Sequence, residues 1–180
     1  MKPFIGLKRV WYGAPLTAAP TVATIPTLVQ SMTEVKNVHE GTWSYTQDDP
    51  ATTDYINMLT GQPYYRDVTS AGNKTIAFTM GEYEFSDLVA LSGGEVLENG
   101  DGWASSSAPQ LYYNSIVAQT KTGNFIVFTN AGLIAKTNAV EQNLGLGVTA
   151  VAMDNETAGV AAEYRFKGDK ISLDTPSDEE

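Results

Sequence analysis

The sequence predicts a mainly β protein: a single-domain β-sandwich or barrel with one short flanking helix at about residues 84–92. Three observations favour this fold class. Apolar and polar residues alternate along much of the chain, as in strands with one buried face. Thr, Ser, Asn and Gly are abundant and only 18% of the residues are charged, which is typical of exposed β structure. In one segment, Lys74–Gly94, the period of the apolar residues changes from that of a strand to that of a helix.

The segment Lys74–Gly94 predicts a strand, a turn and a short helix. Up to Met80, apolar residues alternate with small polar ones, so one strand face is expected to be buried. From Phe85 the apolar residues follow a helical spacing and form one stripe: Phe85, Leu88, Val89 and Leu91. Gly93 and Gly94 tolerate the left-handed conformation that ends a helix. A helix with one apolar stripe needs a sheet to pack on, so we expect it to cover the open side of the sandwich or barrel.

The first 47 residues predict strands on either side of a proline-rich arm. Residues 4–12 alternate weakly and predict a strand, and residues 32–47 predict one or two more. Residues 13–31 contain three prolines, which remove ladder donors and favour an extended arm. The apolar residues of this arm require burial, either on a neighbouring molecule or on the arm's own domain.

Residues 49–63 carry the signals of a second short helix, at about residues 50–60. Asp49 is a good N-cap, Pro50 suits the first helical turn, and Gly61 can end the helix before Pro63. The alternative is a long loop between two strands.

The remainder of the chain predicts three hairpins, a loop and a tail. Residues 64–69 are expected to pair with 74–80, residues 111–120 with 125–129, and residues 144–152 with 160–166. Residues 95–110 form the most loop-like part of the interior of the chain. In the strand that contains Gly145 and Gly147, glycine marks a bulge or a close approach of another backbone. The domain is expected to end near Gly168, and residues 169–180 form an acidic flexible tail.

The charge of the chain argues against a protein that grips nucleic acid through phosphate contacts. The net charge is −10, and about −6 remains on residues 1–168 once the acidic tail is set aside. Proteins that bind the phosphate backbone present a basic surface. The N-terminus lacks the apolar core of a signal peptide and no stretch is long enough to span a membrane, so we expect a cytoplasmic product without membrane partners.

No catalytic, cofactor or metal motif stands out. The chain has no cysteine and a single histidine, which excludes thiolate sites and any zinc site that needs two imidazoles. Asp48, Asp49 and Asp54 are close enough in sequence to suggest a glycosidase pair, but capping and solvation explain them better. Phosphate-binding and nucleophile-elbow motifs are absent from the sequence. We therefore expect no enzyme and no cofactor.

Several segments together resemble the major tail tube proteins of phages, whose fold is shared with Hcp of type VI secretion. The likeness lies in order and texture over roughly residues 1–167. The segments that carry it are YTQDDP at 45–50, LTGQPYY at 59–65, TIAFTMGEYEF at 75–85, LSGGE at 91–95, Trp103, KTGNFIVFTNAGL at 121–133, LGLGVTAV at 144–151 and GVAAEYRF at 159–166.

The resemblance implies a virion structural protein without an active site. Its subunits would form hexameric rings that stack into a tube, the conduit for DNA, around a tape-measure protein. The arm 13–31, the segment 49–63 and the C-terminal tail would make contacts between rings; the residues we single out are Pro15, Leu16, Asp49, Pro50, Tyr55 and Leu59. Acidic residues would face the lumen and repel passing DNA; the candidates are Asp67, Glu82, Glu84, Glu95 and Glu163.

Other classes remain open at this point. A tail terminator or a head–tail connector would be another virion component on a related fold. A carbohydrate-binding β-sandwich would use exposed aromatic residues as a platform; the candidates are Trp11, Trp43, Trp103 and the tyrosine pairs 64–65 and 112–113.

Overall fold

A computed structural model describes residues 2–107 and 111–173. Within these ranges the chain forms two α-helices, α1 (Ile25–Gln30) and α2 (Phe85–Ser92). It also forms strands β1 (Arg9–Gly13), β2 (Thr33–Glu34), β3 (Asn37–Val38), β4 (Ser44–Gln47), β5 (Ala51–Ile56), β6 (Pro63–Ser70), β7 (Lys74–Glu82), β8 (Glu95–Leu97), β9 (Gly102–Ala104), β10 (Tyr112–Gln119), β11 (Phe125–Val140), β12 (Asn143–Ala152) and β13 (Glu163–Phe166). The predicted fold class, mainly β with a helix at about 84–92, is confirmed.

Nine of these strands form one curled antiparallel sheet. The order along its main path is β2-β1-β10-β11-β12-β7-β3, with β13 beside β11 and β4 beside β7. Strand β11 is 16 residues long and organises the sheet, because its first part pairs with β10 and β13 while its second part pairs with β12. The β10–β11 hairpin is confirmed, with the backbone N–H of Thr120 donating to the carbonyl of Asn124 at its turn.

The main core lies on one face of this sheet. Strand alternation sends every second side chain of β1, β7, β10, β11 and β12 inward, as the apolar periodicity predicts. Burying each large apolar side chain contributes about 1.5–3 kcal/mol. The largest fully buried side chains of this core are Val10, Ile76, Phe78, Met80, Leu91, Ile116, Phe128, Leu133 and Leu146.

Helix α2 covers this core from above β10 and β11. Its buried stripe is narrower than predicted: Leu88 and Leu91 are buried, whereas Phe85 remains 38% exposed. A capping box begins the helix, because the side chains of Glu84 and Asp87 each accept the other residue's backbone N–H. Asp87 also accepts a hydrogen bond from the Tyr12 hydroxyl, which ties the helix to β1.

A second apolar cluster lies on the opposite face of β1, β10 and β11. Trp11, Val117 and Phe125 project to this face and are fully buried there. Helix α1 covers them with Ile25 and Val29. The proline-rich segment 13–31 is therefore not an extended arm throughout. Residues 25–30 are helical and pack on their own domain, because Pro26 lies in the first turn, where its missing N–H costs nothing.

The predicted second helix at about residues 50–60 is wrong, and a β-hairpin stands in its place. Strands β5 and β6 pair with each other from Ala51 to Ser70. The predicted pairing of residues 64–69 with residues 74–80 is also wrong. Residues 64–69 belong to β6, which pairs with β5, whereas β7 pairs with β4, β3 and β12. Threonine, tyrosine and isoleucine dominate β5, and these residues favour extended backbone over helix.

The third predicted hairpin has the right strands but the wrong pairing. Residues 163–166 form β13, which pairs with Phe125–Phe128 of β11, while β12 pairs with the second part of β11 and with β7. Gly145 marks a close approach, as predicted: a Cβ there would lie 2.7 Å from Thr79 Cγ2 and 3.0 Å from the Met80 carbonyl oxygen.

Two predicted loop or tail segments contain more structure than expected. Strands β8 and β9 form a small hairpin within 95–110, of which residues 108–110 lie outside the described ranges. The predicted tail 169–180 begins on a 3₁₀ turn over Gly168–Lys170, and Ile171 and Leu173 pack against the second apolar cluster. Residues 174–180 lie outside the described ranges.

Candidate assembly surface

The β5–β6 hairpin projects from the body of the protein into solvent. Every residue of both strands is exposed. Within the hairpin, the rings of Tyr55 and Tyr65 lie 5.7 Å apart, and Arg66 donates two hydrogen bonds to the Asp54 carboxylate, at 2.5 and 2.8 Å. An isolated two-stranded hairpin is marginally stable in water, so these cross-strand pairs are the main contacts that stabilise this one.

The hairpin carries the largest concentration of exposed apolar side chains in the described chain. At its tip, Met58 and Leu59 are 97% and 94% exposed. The tip turns on Asn57, whose side-chain oxygen accepts the backbone N–H of Leu59, and on Gly61, which has a φ of +68°. Exposed apolar groups of this kind mark surfaces that meet another molecule. The other exposed apolar residues of the hairpin are Tyr55, Ile56, Tyr64, Tyr65 and Val68.

The base of the hairpin is anchored on the main sheet. Gln47, the last residue of β4, pairs with Lys74, the first residue of β7, and the hairpin extends directly from this pair. The backbone N–H of Asp48 donates to the Asn73 carbonyl over 2.9 Å. Gly72 packs closely against the backbone of Asp48, because a Cβ atom at Gly72 would lie 1.7 Å from the Asp48 carbonyl oxygen. The hairpin therefore leaves the sheet from a tightly packed base.

The residues predicted to contact a neighbouring ring fall into two groups. Asp49, Pro50, Tyr55 and Leu59 lie on the hairpin or at its base, and all four are exposed. Pro15 and Leu16 lie elsewhere, on the body. Leu16 is held there by its backbone N–H, which donates to Thr129, and by its carbonyl, which accepts from Asn155. Met58, which the sequence analysis does not single out, lies beside Leu59 at the tip and is equally exposed.

The acidic residues predicted to face a lumen are also dispersed. Asp67 lies on the hairpin, Glu82 ends β7 and Glu95 begins β8, and all three are exposed. Glu84 caps α2 and lies 3.2 Å from the Lys36 ammonium group. Glu163 differs from the rest because its side chain is only 4% exposed and is paired with two cations, so it adds no free negative charge to the surface.

A polar cluster around Glu163 links three strands. Its carboxylate lies 2.6 Å from Lys74 Nζ on β7 and 2.6 Å from Arg165 Nε on β13. The Tyr45 hydroxyl on β4 donates to the same carboxylate at 3.1 Å and accepts from Arg165 at 2.7 Å. Among the described residues no backbone pairing joins β4 to β13, so these side chains close the gap between the two strands.

The cluster shifts the ionisation of its members. Burial raises the pKa of Glu163, but hydrogen bonds from Lys74 and Arg165 outweigh burial and hold that pKa below its usual value. Burial, reinforced by the Glu163 carboxylate, raises the pKa of Tyr45. At neutral pH the Glu163 carboxylate is therefore ionised, and its charged contacts hold β4, β7 and β13 together.

We expect Glu163→Gln to destabilise the protein by about 1–2 kcal/mol at pH 7, since it removes charge-assisted hydrogen bonds whose cationic partners stay partly hydrated. A depressed native pKa stabilises the fold above the unfolded value of about 4.3. That contribution is lost as the pH falls through the native pKa, so the two proteins should converge in acid. Urea unfolding of the wild-type protein and the variant, at pH 7 and in acid, measures the difference in their free energies of unfolding. Glu95→Gln, at an exposed site, is the control, and equal stabilities at pH 7 would contradict the prediction.

The other candidate sites gain little from the structure. Trp11 is buried, and Trp43 and Trp103 pack against the main core, so the tryptophans form no exposed platform. Within residues 2–107 and 111–173, His, Cys, Asp and Glu side chains form no group of three that could hold a metal ion. The same part of the chain contains no helix with the length and apolarity to cross a membrane.

No protein-family model matches the chain, and no curated protein matches it either.

Proposed function

We propose that this chain is a virion structural protein that forms rings stacked into a phage tail tube, the conduit for DNA. One observation carries the proposal: the β5–β6 hairpin presents seven large apolar side chains that the subunit itself does not bury. Three of the seven are tyrosines, which are enriched at protein interfaces. A second copy of the same chain is the partner that a tube-forming subunit would supply at high local concentration.

The charge of the chain supports the same proposal. DNA must move through such a tube without adhering to its wall, and the net charge of −10 opposes phosphate contacts. In this proposal the lumen is lined by some of the exposed acids Asp67, Glu82, Glu84 and Glu95. Glu163 is left out because its charge is neutralised inside the subunit.

Negative-stain electron microscopy of the concentrated protein tests the proposal directly. Long hollow tubes of uniform diameter are the expected result. Single rings that never stack would favour the alternative of a tail terminator or head–tail connector. A persistently monomeric protein that binds a glycan array through its exposed tyrosines would overturn the proposal in favour of a carbohydrate-binding domain.

Reversing the charge of Glu82 and Glu95 to lysine is expected to leave tube assembly intact and to slow DNA ejection. Both side chains are exposed and lie outside the β5–β6 hairpin, so the fold does not depend on them. Cationic groups on the wall would release counterions from DNA and reward adhesion. The measurement is the ejection rate of particles carrying the variant, at two ionic strengths. A normal rate in assembled particles would count against an acidic wall.

Hydrogen exchange should distinguish the hairpin from the proline-rich segment. We expect residues 51–70 to exchange quickly in the free subunit and to become protected in tubes, since no residue of the described ranges covers β5 and β6. Residues 25–30 should be protected in both states, because Ile25 and Val29 are already buried. Equal protection of the hairpin in free subunits and tubes would end the idea that it orders on stacking.

A further inference from the structure

One methionine is far more accessible to solvent than the others in the described ranges. Those ranges contain four of the five methionines of the chain. Met80 is 1% exposed in the main core, Met32 packs against the second apolar cluster, Met153 is 38% exposed and Met58 is 97% exposed. The chain has no cysteine, so no thiol competes with these thioethers for a peroxide. Oxidation by a peroxide should therefore begin at Met58.

The turn around Met58 is held by bonds that do not involve its side chain. Asn57 Oδ1 accepts the backbone N–H of Leu59 at 2.9 Å. The Asn57 carbonyl accepts the backbone N–H groups of Thr60 and Gly61 at 3.3 and 2.8 Å. A chemical change at the Met58 sulfur would therefore alter the surface of the hairpin tip without removing the bonds that shape it.

We propose that Met58 is an oxidation site through which a peroxide controls the association of subunits. With hydrogen peroxide, the thioether sulfur attacks one oxygen, and the S–O bond forms as the O–O bond breaks. The proton of the attacked oxygen passes to the second oxygen, which leaves as water. Sulfur gives up an electron pair and the peroxide is reduced. The product is a sulfoxide, a polar group on a side chain that was apolar.

The effect on assembly rests on the proposed function, in which a second copy covers the hairpin tip. A sulfoxide oxygen buried in that contact without a hydrogen-bond donor is an unsatisfied polar group. Each contact should then weaken at least about tenfold, and the loss repeats at every subunit. In a completed tube the neighbouring copy would cover the sulfur, so free subunits should oxidise several-fold faster than tubes at this position.

Peptide mass spectrometry of free subunits treated with hydrogen peroxide tests the site itself, whether or not tubes form. We expect Met58 to oxidise at least about tenfold faster than Met80, with Met153 between them, since reactivity follows exposure. Far-ultraviolet circular dichroism should show that the treated subunit remains folded. Equal oxidation of Met58 and Met80 in a folded subunit would overturn the assignment of the site.

The variant Met58→Leu tests the effect on assembly, because leucine keeps the tip apolar and has no sulfur. Peroxide should abolish tubes from the wild-type protein in electron microscopy and leave those from the variant unchanged. The two methionine sulfoxide reductases, one for each sulfoxide epimer, should restore wild-type tubes when supplied with a thiol reductant. Equal loss of tubes from both proteins would refute control through Met58. An untreated protein that forms no tubes would refute the proposed function and the control of assembly, whereas selective oxidation of Met58 would still stand.

Discussion

The double substitution Met58→Ser with Leu59→Ser is expected to abolish tube formation and to leave the isolated subunit folded. Both residues lie at the tip of the β5–β6 hairpin, 97% and 94% exposed, and so contribute almost no burial to the monomer. If a neighbouring copy covers them, each contributes about 1.5–3 kcal/mol to the contact. Losing both should weaken each contact by at least about a hundredfold, and the loss repeats at every subunit.

The measurements are electron microscopy, sedimentation velocity and thermal unfolding of the same preparations. A control replaces two exposed apolar residues outside the segments expected to contact a neighbouring ring, Ile5→Ser with Ile134→Ser, and should assemble normally. Normal tubes from the tip variant would refute the role of the hairpin in assembly. A lowered Tm would instead show that the tip has contacts within the subunit.

Gly94→Ala is expected to lower the stability of the subunit by about 2–5 kcal/mol. Gly94 follows α2 with a φ of +94°, and a Cβ there would lie 2.2 Å from the Ala104 carbonyl oxygen and 2.7 Å from Trp103 Nε1. The left-handed backbone costs a non-glycine residue about 1–2 kcal/mol, and overpacking costs about 1–3 kcal/mol more. The clash should also disturb the hydrogen bond that Trp103 Nε1 donates to the Gly93 carbonyl over 2.9 Å.

Gly123→Ala separates the two costs. Gly123 has nearly the same φ, +93°, but a Cβ there would meet nothing within 4 Å. The Gly123→Ala variant should therefore lose only the stability that the left-handed backbone costs alanine, about 1–2 kcal/mol. Urea unfolding of both variants, with near-ultraviolet circular dichroism to follow the tryptophan environment, gives the comparison. The two variants losing the same stability would show that the space around Gly94 is not tightly packed.

Local patterns predicted the elements whose side-chain period and end signals agree. Helix α2, strand β7 and the β10–β11 hairpin each combine a clear apolar period with suitable end residues, as at Gly93 and at the turn before Asn124. In the β10–β11 hairpin, neighbours in sequence are also neighbours in the fold. The predicted close approach at Gly145 belongs with them, because a glycine within a strand leaves space that a neighbouring strand can occupy.

The segment 49–63 shows why capping signals alone can mislead. Asp49 and Pro50 suit a helix start, yet the chain continues from the paired ends of β4 and β7, which hold residues 48 and 73 together. This constraint extends the ladder into β5 and β6. The candidate site was affected in the same way: Tyr55 and Leu59 were identified from sequence, but their common place on an uncovered hairpin follows only from the pairing.

Composition and periodicity by themselves determined that this chain is a β protein with an acidic surface and one capped helix on its core, since these properties depend on residue type and short-range spacing. Only the tertiary structure decided which strands pair, because a strand's hydrogen-bonding edges are the same whatever its partner, and closure of the sheet selects among them. The tertiary structure also decided that the Glu163 side chain is buried between strands and that the described residues leave the hairpin at 51–70 uncovered. Both facts depend on what residues far apart in sequence place around these positions.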